Sequence, residues 1–212
     1  RPGTTVLIED VAFPLKELPE ATADLQELLV TNEYHDACIY GHALEGNFHF
    51  IISQSFDSPE QVARYEKLMD EVKTLVVDKY DGSLKAEHGT GRNMAPFVKY
   101  EWGEKAYGFM KAVKELFDPK GLLNPGVIFN EDPHCHLKHF KPMPLTNAHV
   151  DKCIECGFCE VNCLTCGFSL SSRQRIVIQR EISRLKKLSD TESSERLKTL
   201  QKQYKYLGNA TC

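Results

Sequence analysis

The densest group of chemically reactive side chains is a run of cysteines in the last third of the chain. Five of the eight cysteines fall within fourteen residues, and four of them follow the spacing Cys153-x2-Cys156-x2-Cys159-x3-Cys163. Two-residue gaps let three thiolates converge on the irons of one [4Fe–4S] cubane, and the fourth cysteine of such a run serves a second cluster in two-cluster proteins. The spacing therefore predicts an iron–sulfur site.

Other interpretations of the cysteines stay open. A zinc ion is the main competitor, although zinc sites usually combine two separate Cys-x2-Cys knuckles. Cys166 is expected to be a packing residue rather than a ligand. Cys212 is either a surface thiol or the first ligand of a second cysteine motif, and in the second case the iron–sulfur part of this chain is incomplete.

A second group of candidate ligands lies around a predicted hairpin. If Glu45-Gly46 forms a two-residue turn, His42 on one strand pairs with His49 on the next. Directly opposed side chains on one face of a sheet lie about 5 Å apart, a separation at which two imidazoles can share one metal ion. A pair of half-buried strand histidines is the alternative interpretation.

A third ligand is predicted in the segment Glu87-His88-Gly89-Thr90-Gly91. Two imidazoles and one carboxylate would leave coordination positions open, which suits a catalytic zinc or manganese ion that acts as a Lewis acid. Neighbouring strand residues point to opposite faces of a sheet, so Glu87 and His88 reach one site only if the strand ends or bulges there. The glycines that follow favour such a break.

The elements that must position these residues read as an α+β arrangement, because helical and strand-like periodicities alternate over residues 1–130. Strands are predicted over 5–8, 37–42 and 48–52, and extended chain over 84–88. Helices are predicted over 18–30, 58–79 and 104–116, the second capped by Ser58. Beyond a proline-containing stretch, the cysteine-rich loop leads into two polar helices, one over 172–188 and one that ends near Tyr206.

Composition limits the class of protein. A net charge of −4 gives no basic surface for nucleic acid, no apolar run reaches the roughly 18 residues of a membrane span, and no secretory signal is visible. Clustered cysteines without an export signal indicate a reducing compartment, so we expect a cytoplasmic protein, free or at the inner face of the membrane. Because the chain opens at Arg1 rather than at methionine, we expect a piece of a longer or processed protein.

Three motifs resemble one known family. They are Gly41-His42 through His49, Glu87 through Arg92, and Phe117-Asp118-Pro119-Lys120-Gly121 through Asn124-Pro125-Gly126. Together they are similar to the C-terminal domain of FAD-linked oxidases of the vanillyl-alcohol-oxidase type, which include D-lactate, glycolate and D-2-hydroxyglutarate dehydrogenases. Residues 151–159 resemble the ferredoxin segment that follows this domain in large bacterial members.

The resemblance implies a domain organisation and a set of cofactors. Residues 1–130 would be the substrate- and metal-binding domain, an antiparallel sheet with helices in a ferredoxin-like cap. Residues 131–150 would be a linker, and residues 151–212 a truncated helical 4Fe–4S ferredoxin-type domain. FAD would be bound mainly by an upstream domain, and a cysteine-rich electron-transfer domain would follow downstream. The cluster ligands would be Cys153, Cys156, Cys159, Cys163 and Cys212.

The resemblance also assigns roles to single residues. It implies a divalent metal, zinc or manganese, on His42, His49 and Glu87, a catalytic base in His88, and a flavin contact in Asn124. Arg92 is either a partner of the substrate carboxylate or a structural tie to the glycine-rich loop. The implied reaction oxidises a D-2-hydroxy acid to the 2-oxo acid, and electrons pass from FAD through the clusters to a quinone or a redox protein.

Two departures from the family pattern leave the choice of acid open. Ile51 stands where some D-2-hydroxyglutarate enzymes carry a polar substrate contact, and their carboxylate-binding basic residues would map to Ile8 or upstream of Arg1. The chain alone is expected to be inactive, because the flavin-binding domain is not in it. The rival functions are a non-catalytic electron-transfer or assembly module, whose histidine and glutamate residues are structural, and a zinc-binding interaction domain.

Overall fold

The structure, a computed structural model, describes residues 2–206, and these form two compact units. One unit is Thr5–Phe140, and the other comprises the described residues 2–4 and 141–206. The predicted ligand Cys212 lies outside the described residues. Residues 131–140, the first half of the linker predicted over 131–150, belong to the first unit.

The first unit contains a three-stranded antiparallel sheet, so the predicted α+β class is confirmed. Its strands are β1 (Thr5–Ala12), β2 (Cys38–His42) and β3 (Asn47–Gln54), with β3 in the centre. Asp10 on β1 and Tyr40 on β2 both pair with His49 on β3. The central strand therefore presents His49 between two neighbours on the same face.

Helices bury the opposite face of the sheet. The helices are α1 (Leu18–Thr31) and α2 (Pro59–Lys73), and α2 continues through a wider turn at Thr74–Lys79. Their apolar residues recur at three- and four-residue intervals and form one core with the strand residues Val11, Phe48, Phe50 and Ile52. Strand residues alternate between faces, so Ile8 and Tyr40 on the other face are left exposed.

The predicted cap of the long helix is confirmed. The side chain of Ser58 accepts a hydrogen bond from the backbone N–H of Gln61, and Pro59 occupies the first turn, where its missing N–H is not needed. The helix and its terminal wider turn cover the predicted span 58–79. This element is therefore well specified by its local sequence.

The next helix is longer than predicted. Helix α3 (Ala95–Phe117) begins before the predicted start at residue 104, and Gly103 interrupts it with non-helical backbone angles of φ 72° and ψ 168°. The predicted helix is thus the part that follows Gly103. The earlier part was missed because Gly103 breaks the apolar periodicity between the two parts.

Residues 131–140 pack into the core of the first unit although they have no periodicity. The Phe140 ring stacks on Phe56 with centroids 3.7 Å apart and contacts Tyr65 edge-on. His136 is buried against the edge of Phe97. These contacts join residues far apart in the chain, which explains why a local reading predicts a linker.

The second unit contains two polar helices, as predicted. They are α4 (Ser172–Leu185) and α5 (Thr191–Gln203). Ser171 and Gln174 form a reciprocal capping box at the start of α4, and Glu181 of α4 accepts hydrogen bonds from Arg184 and pairs with Arg196 of α5. Within residues 2–206, no helix combines the length and apolar character that crossing a bilayer requires.

Candidate metal centre

The hairpin that carries both histidines differs from the prediction. Ala43–Glu45 forms a turn of 3-10 helix, and Gly46 closes it, so His42 pairs with Asn47 and Tyr40 pairs with His49. The predicted two-residue turn and the direct pairing of His42 with His49 are wrong. The imidazoles meet nevertheless, because diagonal neighbours on one face are within reach of long side chains, and the ring centroids lie 5.8 Å apart.

Glycine is required in this turn. Gly46 has a left-handed φ of 68°, and a Cβ atom there would lie 2.2 Å from the carbonyl oxygen of Phe13. The N–H of Phe13 in turn donates to the carbonyl of Gly46 at 2.9 Å. The turn is thus fixed against the chain that leaves β1, which holds the end of the hairpin in place.

Glu87 completes a group of three converging side chains. Its Oε1 atom lies 3.2 Å from Nε2 of His42 and 3.0 Å from Nε2 of His49. The extended chain predicted over 84–88 is wrong, since this segment is a bent loop after an isolated bridge between Ser83 and Ala12. The bends remove the alternation of a strand, so Glu87 and His88 can face the same site.

His88 lies against the same group. Its ring stacks on His49 with centroids 4.6 Å apart and an interplanar angle of 12°, and its Nε2 lies 3.8 Å from Oε1 of Glu87. His88 is half exposed, whereas the His49 side chain is 4% exposed. The buried imidazole of His49 therefore packs against the accessible imidazole of His88.

The donor set fits a divalent cation. The ligand atoms of His42, His49 and Glu87 all lie within 4.8 Å of one another. Two imidazole nitrogens and one carboxylate oxygen suit zinc or manganese, and three protein ligands leave room for a substrate. An open cavity of about 320 Å³ lies beside them and is lined by His42, Glu45, Asn47, Ala86 and Glu87. These residues could hold the metal that the family resemblance implies.

Asp10 is part of this site and was missed in the sequence. Its carboxylate is fully buried. Oδ2 accepts the backbone N–H groups of Ala86 and His88, each at 2.9 Å, and Oδ1 accepts the side-chain amide of Asn47 at 2.5 Å. Burial works to raise the pKa of Asp10, but these hydrogen bonds outweigh it and lower the pKa, so the group is held as a carboxylate.

The neighbouring acid, Glu9, points to the opposite face of the sheet. It is buried, its Oε2 lies 3.0 Å from Nζ of Lys85, and its Oε1 accepts the side-chain amide of Asn93. Burial raises the pKa of Glu9, against the opposing effect of Lys85. Two consecutive acids inside an apolar strand were the sequence signal that could have identified this pair.

Arg92 contacts another loop. Its Nη2 donates to the carbonyl of Pro125 at 3.0 Å, which ties the glycine-rich segment to the loop that carries the exposed Asn124. This contact agrees with the structural interpretation of Arg92. The substrate contact of Arg92 and the flavin contact of Asn124 stay predictions.

The cysteine segment offers sulfur atoms with hydrogen-bond donors. The Sγ of Cys153 accepts the N–H of Glu155 at 3.3 Å, the Sγ of Cys159 accepts the hydroxyl of Ser172 at 3.2 Å, and Cys163 contacts the Thr165 hydroxyl. Such donors stabilise thiolate ligands and tune iron–sulfur centres. In residues 2–206 no three of these sulfurs lie within 4.8 Å of one another. A cubane binds each thiolate to a different iron and does not need that proximity.

A buried ion pair fixes the cysteine loop on α4. Arg180 pairs with Glu155 and donates to the carbonyl of Cys153 at 2.7 Å. Burial works to raise the pKa of Glu155, but hydrogen bonds from Lys141 and Arg180 lower it. The backbone at the first cysteine of the motif is therefore held by Arg180 of its own unit.

The sheet, its open face and the histidine motifs define a protein class, and the comparison with known families gives it a name. Residues 1–128 match the family described as FAD linked oxidases, C-terminal domain. This match covers more than half of the chain, which therefore belongs to that family. FAD is the cofactor that membership implies.

Curated proteins of this family are similar to the chain at modest identity. Glycolate oxidase subunit GlcD of Bacillus subtilis is 27% identical over 128 residues, which are 60% of this chain and 27% of that protein. D-2-hydroxyglutarate dehydrogenase of Stutzerimonas stutzeri is 33% identical over 124 residues (57% and 26%). Mitochondrial D-lactate dehydrogenase (cytochrome) of Arabidopsis thaliana is 32% identical over 139 residues (63% and 23%). The chain thus spans about a quarter of the length of these relatives.

Proposed function

We propose that this chain is the metal- and substrate-binding part of a flavin-dependent dehydrogenase that oxidises a D-2-hydroxy acid to the 2-oxo acid. The observation that supports this is that the imidazoles of His42 and His49 both converge on Oε1 of Glu87, beside an open cavity. Glycolate, D-lactate and D-2-hydroxyglutarate, which the relatives' names mention, are all 2-hydroxy acids.

We assign the metal ligands and His88 separate roles in the reaction. A divalent cation held by His42, His49 and Glu87 would supply Lewis acidity toward the hydroxyl and carboxylate oxygens of the acid. His88 is half exposed and stacks on His49, so its ring plane is held while one edge stays accessible. An imidazole can serve as a general base, and His88 would accept the hydroxyl proton of the substrate.

The electron acceptors complete the proposal. FAD would supply the two-electron acceptor for the hydride of the substrate carbon, and it would be held mainly by a domain that this chain does not include. We propose that Cys153, Cys156, Cys159 and Cys163 bind iron–sulfur clusters that carry the electrons onward to a quinone or a redox protein. The hydrogen bonds to Cys153 and Cys159 support thiolate ligation in that segment.

The test compares the wild-type protein with His42→Ala, His88→Ala and His35→Ala. We expect zinc or manganese in an anaerobically purified wild-type chain, loss of that metal in His42→Ala, and its retention in His88→Ala. In the longer protein that includes a flavin domain, His88→Ala should lose turnover. His35 is exposed and outside the histidine–glutamate group, so His35→Ala should keep both metal and turnover.

Each opposite result has a clear meaning. Normal turnover in His88→Ala would remove His88 as the base. Metal that survives His42→Ala would lie on the cysteines, and zinc without iron there would favour the interaction-domain alternative. Iron with matching inorganic sulfide would support the electron-transfer role of the cysteine segment.

A further inference from the structure

We propose that Asp10 is a positioning residue that fixes the orientation and tautomer of His49, an inference that rests on the proposed metal site. His49 is the shared member of the group, because its Nε2 faces Glu87 and its ring supports His88. The opposite ring nitrogen, Nδ1, lies 3.4 Å from Oδ1 of Asp10. Asp10 therefore stands directly behind the imidazole that would bind the cation.

The Nδ1 atom of His49 needs a hydrogen-bond partner, and the Asp10 carboxylate is placed to give one. Nδ1 is buried and has no hydrogen-bond partner among the residues that the structure describes. A histidine that binds a cation through Nε2 carries its proton on Nδ1, and a buried N–H without an acceptor is costly. A carboxylate behind a metal-bound histidine satisfies that proton, fixes the tautomer and raises the basicity of the ligand.

Asp10 is better suited to this role than to metal ligation. Its two oxygens already accept three hydrogen bonds, two from the backbone of Ala86 and His88 and one from Asn47. It also lies on the Nδ1 side of His49, whereas Glu87 lies on the Nε2 side. The same carboxylate thus holds the loop that carries Glu87 and the ring that meets it.

The substitution Asp10→Asn tests the tautomer directly. The amide oxygen can keep the two backbone N–H groups, which leaves the NH2 group toward His49 and toward Asn47, whose side-chain amide would turn over to accept from it. Nδ1 would then accept a hydrogen bond, and the ring proton would move to Nε2, the atom that must bind the cation. Removal of such an outer partner typically weakens metal binding about 10- to 100-fold.

The experiment titrates Mn²⁺ into the 212-residue chain and follows the free ion by electron paramagnetic resonance. Mn²⁺ prefers oxygen and imidazole ligands to thiolates, so the cysteine segment contributes little to the signal. Glu9→Gln is the matched control: it exchanges the same charge for an amide at the adjacent buried position, but Glu9 faces the opposite side of the sheet, where it contacts Lys85 and Asn93. We expect the roughly 10- to 100-fold loss in Asp10→Asn and wild-type affinity in Glu9→Gln.

A second measurement does not depend on the folding of a variant. In the Zn²⁺-loaded wild-type chain, proton NMR should show a downfield, slowly exchanging N–H signal that correlates with Nδ1 of His49. A signal on Nε2 instead, unchanged Mn²⁺ affinity in Asp10→Asn, or an equal loss in Glu9→Gln would each overturn the role of Asp10. A wild-type chain that binds no Mn²⁺ would remove the proposed metal site itself, whereas wild-type binding with an insensitive Asp10→Asn removes only this inference.

Discussion

Single buried carboxylates act in this protein as acceptors for backbone N–H groups, and Asp118 shows the arrangement outside the metal site. Its oxygens accept the N–H groups of Leu122 at 2.9 Å and Leu123 at 2.8 Å. Lys114 donates to it as well, at 2.5 Å. The hydrogen bond from Lys114 and the two backbone donors lower the pKa of Asp118 to about 2.

The low pKa predicts how Asp118 contributes to stability as the pH changes. A carboxylate whose pKa is lower in the folded than in the unfolded chain stabilises the fold above the unfolded pKa, and this contribution disappears as the pH falls through the folded value. Between the ordinary value of 3.8 and about 2, the advantage of the wild type over Asp118→Asn should therefore shrink. Unfolding midpoints of both proteins from pH 7 down to pH 2 measure it.

Glu115→Gln provides the control for that comparison. Glu115 is exposed on the same helix, so its substitution should leave the unfolding midpoint nearly unchanged across the range. A constant difference between wild type and Asp118→Asn at every pH would show that the carboxylate charge is not responsible.

At the same scale, functional residues can be predicted from the sequence when their side-chain type and spacing suit a metal ligand. Residues whose role depends on contacts with distant parts of the chain cannot be predicted in this way. His42, His49 and Glu87 were named from ligand type and spacing, and the structure brings them together, although metal binding is untested. Asp10 was missed because its partners Ala86 and His88 lie more than seventy residues away in the chain. No local pattern encodes those hydrogen bonds.

At the scale of elements, local signals specify helices better than they specify the register of the hairpin. The cap at Ser58 and the apolar spacing of α2 are sufficient to predict that helix. The two-residue turn was wrong because Ala43–Glu45 forms a short helical turn, which moves the pairing of β2 with β3. The register is set by how Gly46 packs against Phe13, which a local pattern does not show.

Gly46 and Gly108 should respond in opposite directions to substitution by alanine. In Gly46→Ala, the alanine must adopt a left-handed backbone conformation, which alone costs roughly 1–2 kcal/mol. Its Cβ atom would also clash with the Phe13 carbonyl, so the loss of stability of the first unit should exceed that value. Gly108 lies inside α3 with open space around it, so Gly108→Ala should stabilise by about 0.5–1 kcal/mol. Urea unfolding of both variants provides the comparison.

The result has a clear failure case. If Gly46→Ala unfolds at the same urea concentration as the wild type, the turn adapts without cost, and the packing of Gly46 against Phe13 does not fix the hairpin. The α3 control guards against a general effect of alanine on solubility or expression.

At the scale of the whole molecule, the chain divides into two compact units with different kinds of stabilisation. The first unit has a continuous apolar core. The second depends more on polar contacts, among which the buried pair of Arg180 and Glu155 carries the cysteine loop. The boundary after residue 140 falls inside the predicted linker 131–150, and the start of that stretch packs into the first unit through long-range contacts such as that of Phe140 with Phe56.

Arg180→Ala should destabilise the second unit alone. It removes one of the two cations that pair with the buried Glu155, the other being Lys141, and breaking a buried pair typically costs up to about 3–5 kcal/mol. Amide hydrogen exchange read by mass spectrometry should accelerate over residues 172–185 and stay unchanged over residues 59–73. Arg196→Ala, which removes an exposed pair with Glu181, is the control and should have little effect on either range. Equal acceleration in both ranges would contradict independent stabilisation.

Because β1 carries two consecutive acids, its register against β3 determines whether a refolded molecule has a correctly formed site. Glu9 is sealed inside the apolar side of the sheet and Asp10 faces the histidines. A slip of one position would exchange them between the two sides, yet the overall content of helix and strand would hardly change. Circular dichroism, which measures secondary-structure content, would therefore not distinguish the molecules with a shifted register from the correct ones. At the proposed metal site, uptake of a cation would instead count the correctly aligned chains, so metal capacity would serve as an assay of folding fidelity during production of this protein.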